Sequence, residues 1–289
     1  MATRYAVATG NWSNAATWDG GASVPSPGDT VRANGFTVTI DTNLTGTAYN
    51  LRTDASAPAA AGGNFTVSTT RTLNVNCTGG TTSCLLLAGT SDKTVTIVGN
   101  ANGSANTSAN SCYGISVTGA NAVVLTGNIA GGVGSGGNQN HGMGVSASAT
   151  ITITGDITGG SGGCAGLSVQ SGTVSVSVTG NVVGGSTSSG AATSNPGINH
   201  AGSGLITVTG NVTAGSGTAG GYGVYITSTG SVKIVGTCTS NNDSSAVVAI
   251  NSVSSVVRTC GNLVTGGTGR FAVVALDRKS TRLNSSHRL

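Results

Sequence analysis

Apolar and polar residues alternate along short stretches of this chain, and the stretches recur. ITITGD at 151–156, VSVTGN at 176–181 and ITVTGN at 206–211 each place Val or Ile on one side of an extended strand and Thr or Ser on the other. VTIVGN at 95–100, VVLTGN at 123–128, KIVGT at 233–237 and a degraded RTCGN at 258–262 close in the same way. The turn glycines are Gly99, Gly127, Gly155, Gly180, Gly210, Gly236 and Gly261, spaced by 28, 28, 25, 30, 26 and 25 residues with a mean of 27. A second marker sits between them: YGISV from Tyr113, MGVSA from Met143, AGLSV from Ala165, PGINH from Pro196 and YGVYI from Tyr222. SAVVAI from Ser245 and FAVVAL from Phe271 continue it. The variable length falls mainly in glycine-serine stretches ahead of the marker.

Each repeat therefore reads as a short strand after the turn, a loop, a second strand, and a third alternating strand. A unit this small cannot bury its own apolar face, whereas stacked units can. Three short strands per 27 residues predict an all-β, parallel β-helix, with Gly and Asn at the corners. The crossover rule makes it right-handed. A β-sandwich or a stack of small antiparallel units is the alternative, but neither needs a near-constant repeat over six intervals. FTVSTTRTLNVNC at 65–77 and CLLLAG at 84–89 read as less regular coils.

Composition agrees with this picture. Gly fills 49 of 289 positions without a three-residue period and Pro only 4, which excludes collagen. Good helix formers are scarce and Glu is absent. Four of the twelve basic residues lie in the last twelve positions, and residues 1–276 hold eight Lys or Arg against seven Asp. No basic cluster tracks a nucleic-acid backbone, so no nucleic-acid partner is expected. No run of 18 apolar residues predicts a membrane span. The N-terminal sequence lacks the apolar core of a signal peptide, and Met1 read as a genuine start argues for assembly in the cytoplasm.

Residues 1–50 differ from the repeat. They hold both tryptophans, Trp12 and Trp18, and two of the four prolines, Pro25 and Pro27. An open β-helix end exposes strand edges and an apolar cross-section, so this segment reads as an N-terminal cap ahead of coils at 51–276. The pattern W-S-N-x-x-T-W, then P-x-x-G-D-x-V, then a strand ending V-x-I-D, is carried here by Trp12, Ser13, Asn14, Thr17, Trp18, Pro25, Gly28, Asp29, Val31, Val38, Ile40 and Asp41. It resembles the G8-type module and related segments that open β-helices. That resemblance implies architecture and not activity, since such modules serve on surface proteins of many kinds. The TVTVTGNVxGG…YGV pattern of the remainder is similar to glycine-rich repeat proteins of tailed phages. From Asp277 the repeat stops, and DRKSTRLNSSH at 277–287 resembles a sequencing-library adapter translated in frame. On that reading 277–289 is non-native and the chain is a metagenomic fragment.

Candidate chemistry is sparse. Glycoside hydrolysis needs two facing carboxylates. Asp156 instead stands where Asn128 and Asn181 stand, directly after a turn glycine, and reads as a turn residue. Asp243 reads as solvated, and Asp29 and Asp41 as backbone caps. His141 and His200 are out of phase and read as single loop residues rather than a metal pair. Tyr113, Tyr222 and Tyr225 fit core or corner packing better than a glycan-facing ladder. The cysteines, Cys77, Cys84, Cys112, Cys164, Cys238 and Cys260, form no CxxC pair and read as small core fillers, while a Cys77–Cys84 staple requires an oxidising compartment. No catalytic, metal or cofactor residue is nominated, and no enzyme is expected. The sequence-level expectation is a structural component of a phage virion (tail-associated, spike or decoration protein). Its partners are other virion proteins or its own subunits, with cell-surface glycans meeting the loops at 131–142 and 184–197. The alternative is a bacterial cell-surface adhesin, and behind it the non-catalytic part of a polysaccharide-degrading β-helix protein.

Overall fold

The structure is a computed structural model of the 289-residue chain. It describes residues 2–53, 63–67, 70–78, 83–88, 93–103, 113–119, 121–132, 140–162, 164–186, 195–216 and 221–240, together with the strand backbones Val248–Ile250, Val256–Thr259, Leu263–Val264 and Val273–Ala275. The expected tail at 277–289, Asp243, Cys112 and Cys260 lie outside the described residues.

The chain winds as a right-handed parallel β-helix with three faces. The first face stacks the longer alternating strands, such as Asn121–Thr126, Ala149–Thr154, Thr173–Thr179, Ser203–Thr209 and Ser231–Val235. Across the glycine turn, the second face stacks two-residue strands, including Ile129–Ala130, Ile157–Thr158, Val182–Val183 and Val212–Thr213. The third face stacks the marker strands, including Ile115–Val117, Met143–Val145, Leu167–Val169, Ile198–His200 and Val224–Ile226. Among the described residues, faces one and two belong to an 18-stranded sheet and the third to an 11-stranded one.

Register explains why alternation suffices to specify the fold. Val123, Ile151, Val176, Ile206 and Val232 face one another in successive coils, as do Ile129, Ile157, Val182, Val212 and Cys238. All ten are buried, and the columns merge into one core along the lumen. A one-residue slip would turn each column outward.

One correction concerns the second marker. Met143 faces Leu167 and Ile115, so HGMGV at 141–145 is the equivalent of the other markers, and Gly142, not Gly144, is the marker glycine. Gly144 instead falls in the column between Ser116 and Ser168.

The turn glycines meet two constraints at once. Gly180 adopts φ +147°, and a Cβ there would lie 2.2 Å from the carbonyl oxygen of Gly155 in the coil below. The residue after the turn supplies a side-chain ladder. Asn100 Oδ1 accepts from the Asn128 N–H at 2.8 Å, Asn128 Oδ1 from the Asp156 N–H at 2.9 Å, and Asp156 Oδ1 from the Asn181 N–H at 2.7 Å. Asn181 and Asn211 continue it to the N–H groups of Asn211 and Thr237, at 3.0 and 2.9 Å.

Residues 2–50 follow the same winding. Thr3–Tyr5 pairs with Thr30–Arg32, Gly10–Asn11 with Thr37–Thr39, and Val38 with Phe65. The tryptophans fill the lumen at this end. Trp12 packs edge-on against Trp18 at 5.0 Å and Tyr49 at 5.4 Å, and Trp18 Nε1 donates to the Trp12 carbonyl at 2.9 Å. Cys77 and Cys84 are joined as a disulfide, with Cα atoms 5.9 Å apart.

Gly180→Ala should cost about 3 kcal/mol, because both the φ strain and the close carbonyl oppose it. Asn181→Ala should cost about 1 kcal/mol for its lost ladder bond, and Thr152→Ala less than about 0.5 kcal/mol. Denaturant titration followed by circular dichroism orders the three, and equal costs would contradict the stacking account.

Candidate functional site

The described carboxylates are all committed to the backbone or to a near neighbour. Asp29 accepts from the N–H groups of Ala2 and Ser26 at 2.8 and 2.9 Å, and Asp41 from the Ser13 N–H at 2.9 Å. Burial alone would raise both acids, but these hydrogen bonds outweigh it and hold them below the usual range. Asp19 is likewise lowered, burial being outweighed by Arg4 at 2.9 Å and the Tyr5 N–H. Asp156 occupies its rung of the exposed ladder, as its turn position predicts. No two of these acids face each other across a cleft in the described contacts. Among the described residues no group of three or more His, Cys, Asp or Glu could hold a metal ion. Among them, too, no helix is long and apolar enough to cross a membrane.

His200 lies in a strand and not in a loop, which corrects the reading from sequence, while His141 stands just ahead of the strand Met143–Val145 as a single residue outside it. His141 lies against the Tyr113 ring at 5.5 Å, is buried, and accepts the Ala165 N–H on Nδ1 at 2.9 Å. That bond fixes the neutral tautomer with the proton on Nε2. Burial pushes its pKa down to about 4. His200 ends a third-face strand, in the lumen column between Val169 and Ile226, and is fully buried. Neither ring nitrogen makes a hydrogen bond of good geometry, although the Gly204 backbone is near enough to oppose in part the lowering of its pKa by burial. Room for the imidazole comes from the first face, where the column Ala149–Val174 passes to Gly204, and Gly230 stands just ahead of the strand Ser231–Val235. A Cβ at Gly230 would lie 2.1 Å from His200 Nε2. The signal was present in PGINH: set against AGLSV and YGVYI, the His falls where Val and Ile point inward. As expected, the two histidines stand in different columns and are not brought together.

Tyr113 and Tyr222 share a column, as their marker phase predicts. Tyr113 is buried across Gly144, where a Cβ would meet its ring at 2.5 Å. Its hydroxyl accepts from Gln170 Nε2 at 3.0 Å, and Gln170 Oε1 accepts from Ser146 Oγ at 2.8 Å. Burial raises the Tyr113 pKa. This network tied three coils together unseen in the sequence, because it joins residues 57 apart. Tyr222 and Tyr225 stack at 5.2 Å and are half-buried. Cys164 and Cys238 are buried thiols outside the disulfide; Cys164 Sγ accepts from the Asn140 N–H at 2.8 Å, and burial pushes Cys238 up to about 12, consistent with core filling. The greater part of the loops within 131–142 and 184–197, the expected glycan contacts, lies outside the described residues.

The buried histidines set a pH dependence. Both folded pKa values are lowered, so below the ordinary value near 6.5 the unfolded chain binds protons that the fold refuses. Stability present at pH 7 is therefore lost as pH falls from about 6.5, and for His141 the loss levels off near 4, costing about 3 kcal/mol. Thermal unfolding between pH 7.5 and 4 measures it, and His141→Asn should flatten the slope.

In comparisons with known proteins, no family model, no curated protein and no solved structure matches the chain.

Proposed function

We propose that the chain is a non-catalytic structural solenoid of adhesin type, an extended scaffold that presents uncharged faces and corner loops to a partner surface outside the cell. One observation carries this reading: the described carboxylates and buried histidines are spent on backbone hydrogen bonds and packing, while the same three faces repeat coil after coil. A polysaccharide-degrading β-helix concentrates acids on one strand face, and here the outward positions of Ala149–Thr154 and Thr173–Thr179 on the first face are Thr and Ser. The likeness of residues 12–41 to G8-type modules agrees with a surface protein. A phage virion component uses the same rigid, uncharged scaffold, and its partners would be other virion proteins or copies of this chain.

The test is retention without turnover. The immobilised chain should hold intact bacteria or their extracted surface polysaccharide from solution without releasing new reducing ends or unsaturated sugars. Release of such ends overturns the non-catalytic reading. Labelling of phage particles but not of cell surfaces by an antibody against the chain would assign it to the virion.

A further inference from the structure

The first face displays a regular array of hydroxyls. Thr150, Thr152 and Thr154 lie opposite Ser175, Ser177 and Thr179 in the next coil, and all six are exposed. Thr207 and Thr209 extend the array by a further coil, with Leu205 at its third position. Parallel pairing sets the coils about 4.8 Å apart and alternate residues about 6.6 Å apart, so the array is a two-dimensional lattice. Among the described residues no hydrogen bond engages the six hydroxyls, although the neighbouring Thr173 and Ser203 bond each other at 2.9 Å.

We propose that this face binds ice. Three properties select that partner. The face is uncharged over these three coils, the first cation being Lys233 in the coil beyond, so it complements a neutral lattice and offers nothing to a phosphate or an acidic polymer. Its outward positions in these strands hold no aromatic ring on which a sugar could stack. Its two repeats are close to those of the oxygen rows on the prism faces of hexagonal ice. Threonine suits such a surface because its hydroxyl can join the water lattice while its methyl group fills the space between rows. The strands are fixed by backbone bonds on both sides, so little ordering entropy opposes the contact. This inference goes beyond the adhesin-type reading: it gives the first face a partner of its own, a crystalline water surface, apart from the cell surface that the retention assay probes.

The experiment uses the full purified chain in freezing-point hysteresis and ice-recrystallisation assays, with circular dichroism to confirm the β fold. The unmodified chain should facet ice crystals and slow recrystallisation. Thr152→Tyr and Ser177→Tyr, which break the flatness, should lower the hysteresis at equal concentration by at least about tenfold. Thr158→Tyr on the second face should leave it unchanged. A folded chain without effect on ice, variants equal to the parent, or a dimer in sedimentation that is abolished by Thr152→Tyr would each overturn the proposal. Binding to crystalline cellulose without any effect on ice would also overturn it. Such outcomes leave the retention assay above intact, so the two readings fail separately.

Discussion

Backbone hydrogen bonds that run along the axis, from the amide of one coil to the carbonyl of the next, govern this molecule. At the turn they link Gly127 to Thr154, Gly155 to Thr179 and Gly180 to Thr209, each at 2.9 Å. That spacing leaves no room for a side chain wherever the chain bends sharply. A Cβ at Gly160 would meet the Gly132 carbonyl at 1.9 Å, and one at Gly185 the Gly160 carbonyl at 1.8 Å. The glycine content is therefore a steric consequence of coil stacking more than a sign of looseness. The asparagine ladder answers the same constraint, since each side chain reaches the next coil only because that coil is so near.

The regular part of the fold was legible because period-two alternation and a 27-residue repeat report on backbone geometry directly. Ile151 and Ile153 point inward in any parallel stack, and Gly155 can be read as a corner. Within residues 1–50 the repeat was hidden, because strands as short as Gly10–Asn11 carry too few residues to display alternation. What sequence could not supply was contact between coils. Tyr113 reaching Gln170, and His200 fitted beside Gly230, depend on which residues stack, and a two-residue ambiguity at Met143 was enough to obscure the first. The aspartates were read more easily, because a carboxylate directly after a turn glycine has an obvious donor in the coil above.

The polar groups inside the coil divide into two kinds. His141 is held by a backbone amide and by the face of Tyr113, and so contributes order as well as volume. His200 has no hydrogen bond of good geometry at either ring nitrogen, and its place is secured by the absence of a side chain at Gly230. Filling that space with Val at 200 alone would leave a void, whereas refilling 230 would require the ring to go. Positions 200 and 230 behave as one unit although they are separated by thirty residues.

Equivalence between coils also bears on how such a chain changes length. Every asparagine rung accepts from the coil after it and donates to the coil before it, so the top of one coil matches the underside of any other. Deleting or duplicating a segment from one turn glycine to the next would restore the same three pairings at the junction. Length is therefore open to change by whole-coil steps of about 4.8 Å, like links added to a chain, while the cross-section stays constant.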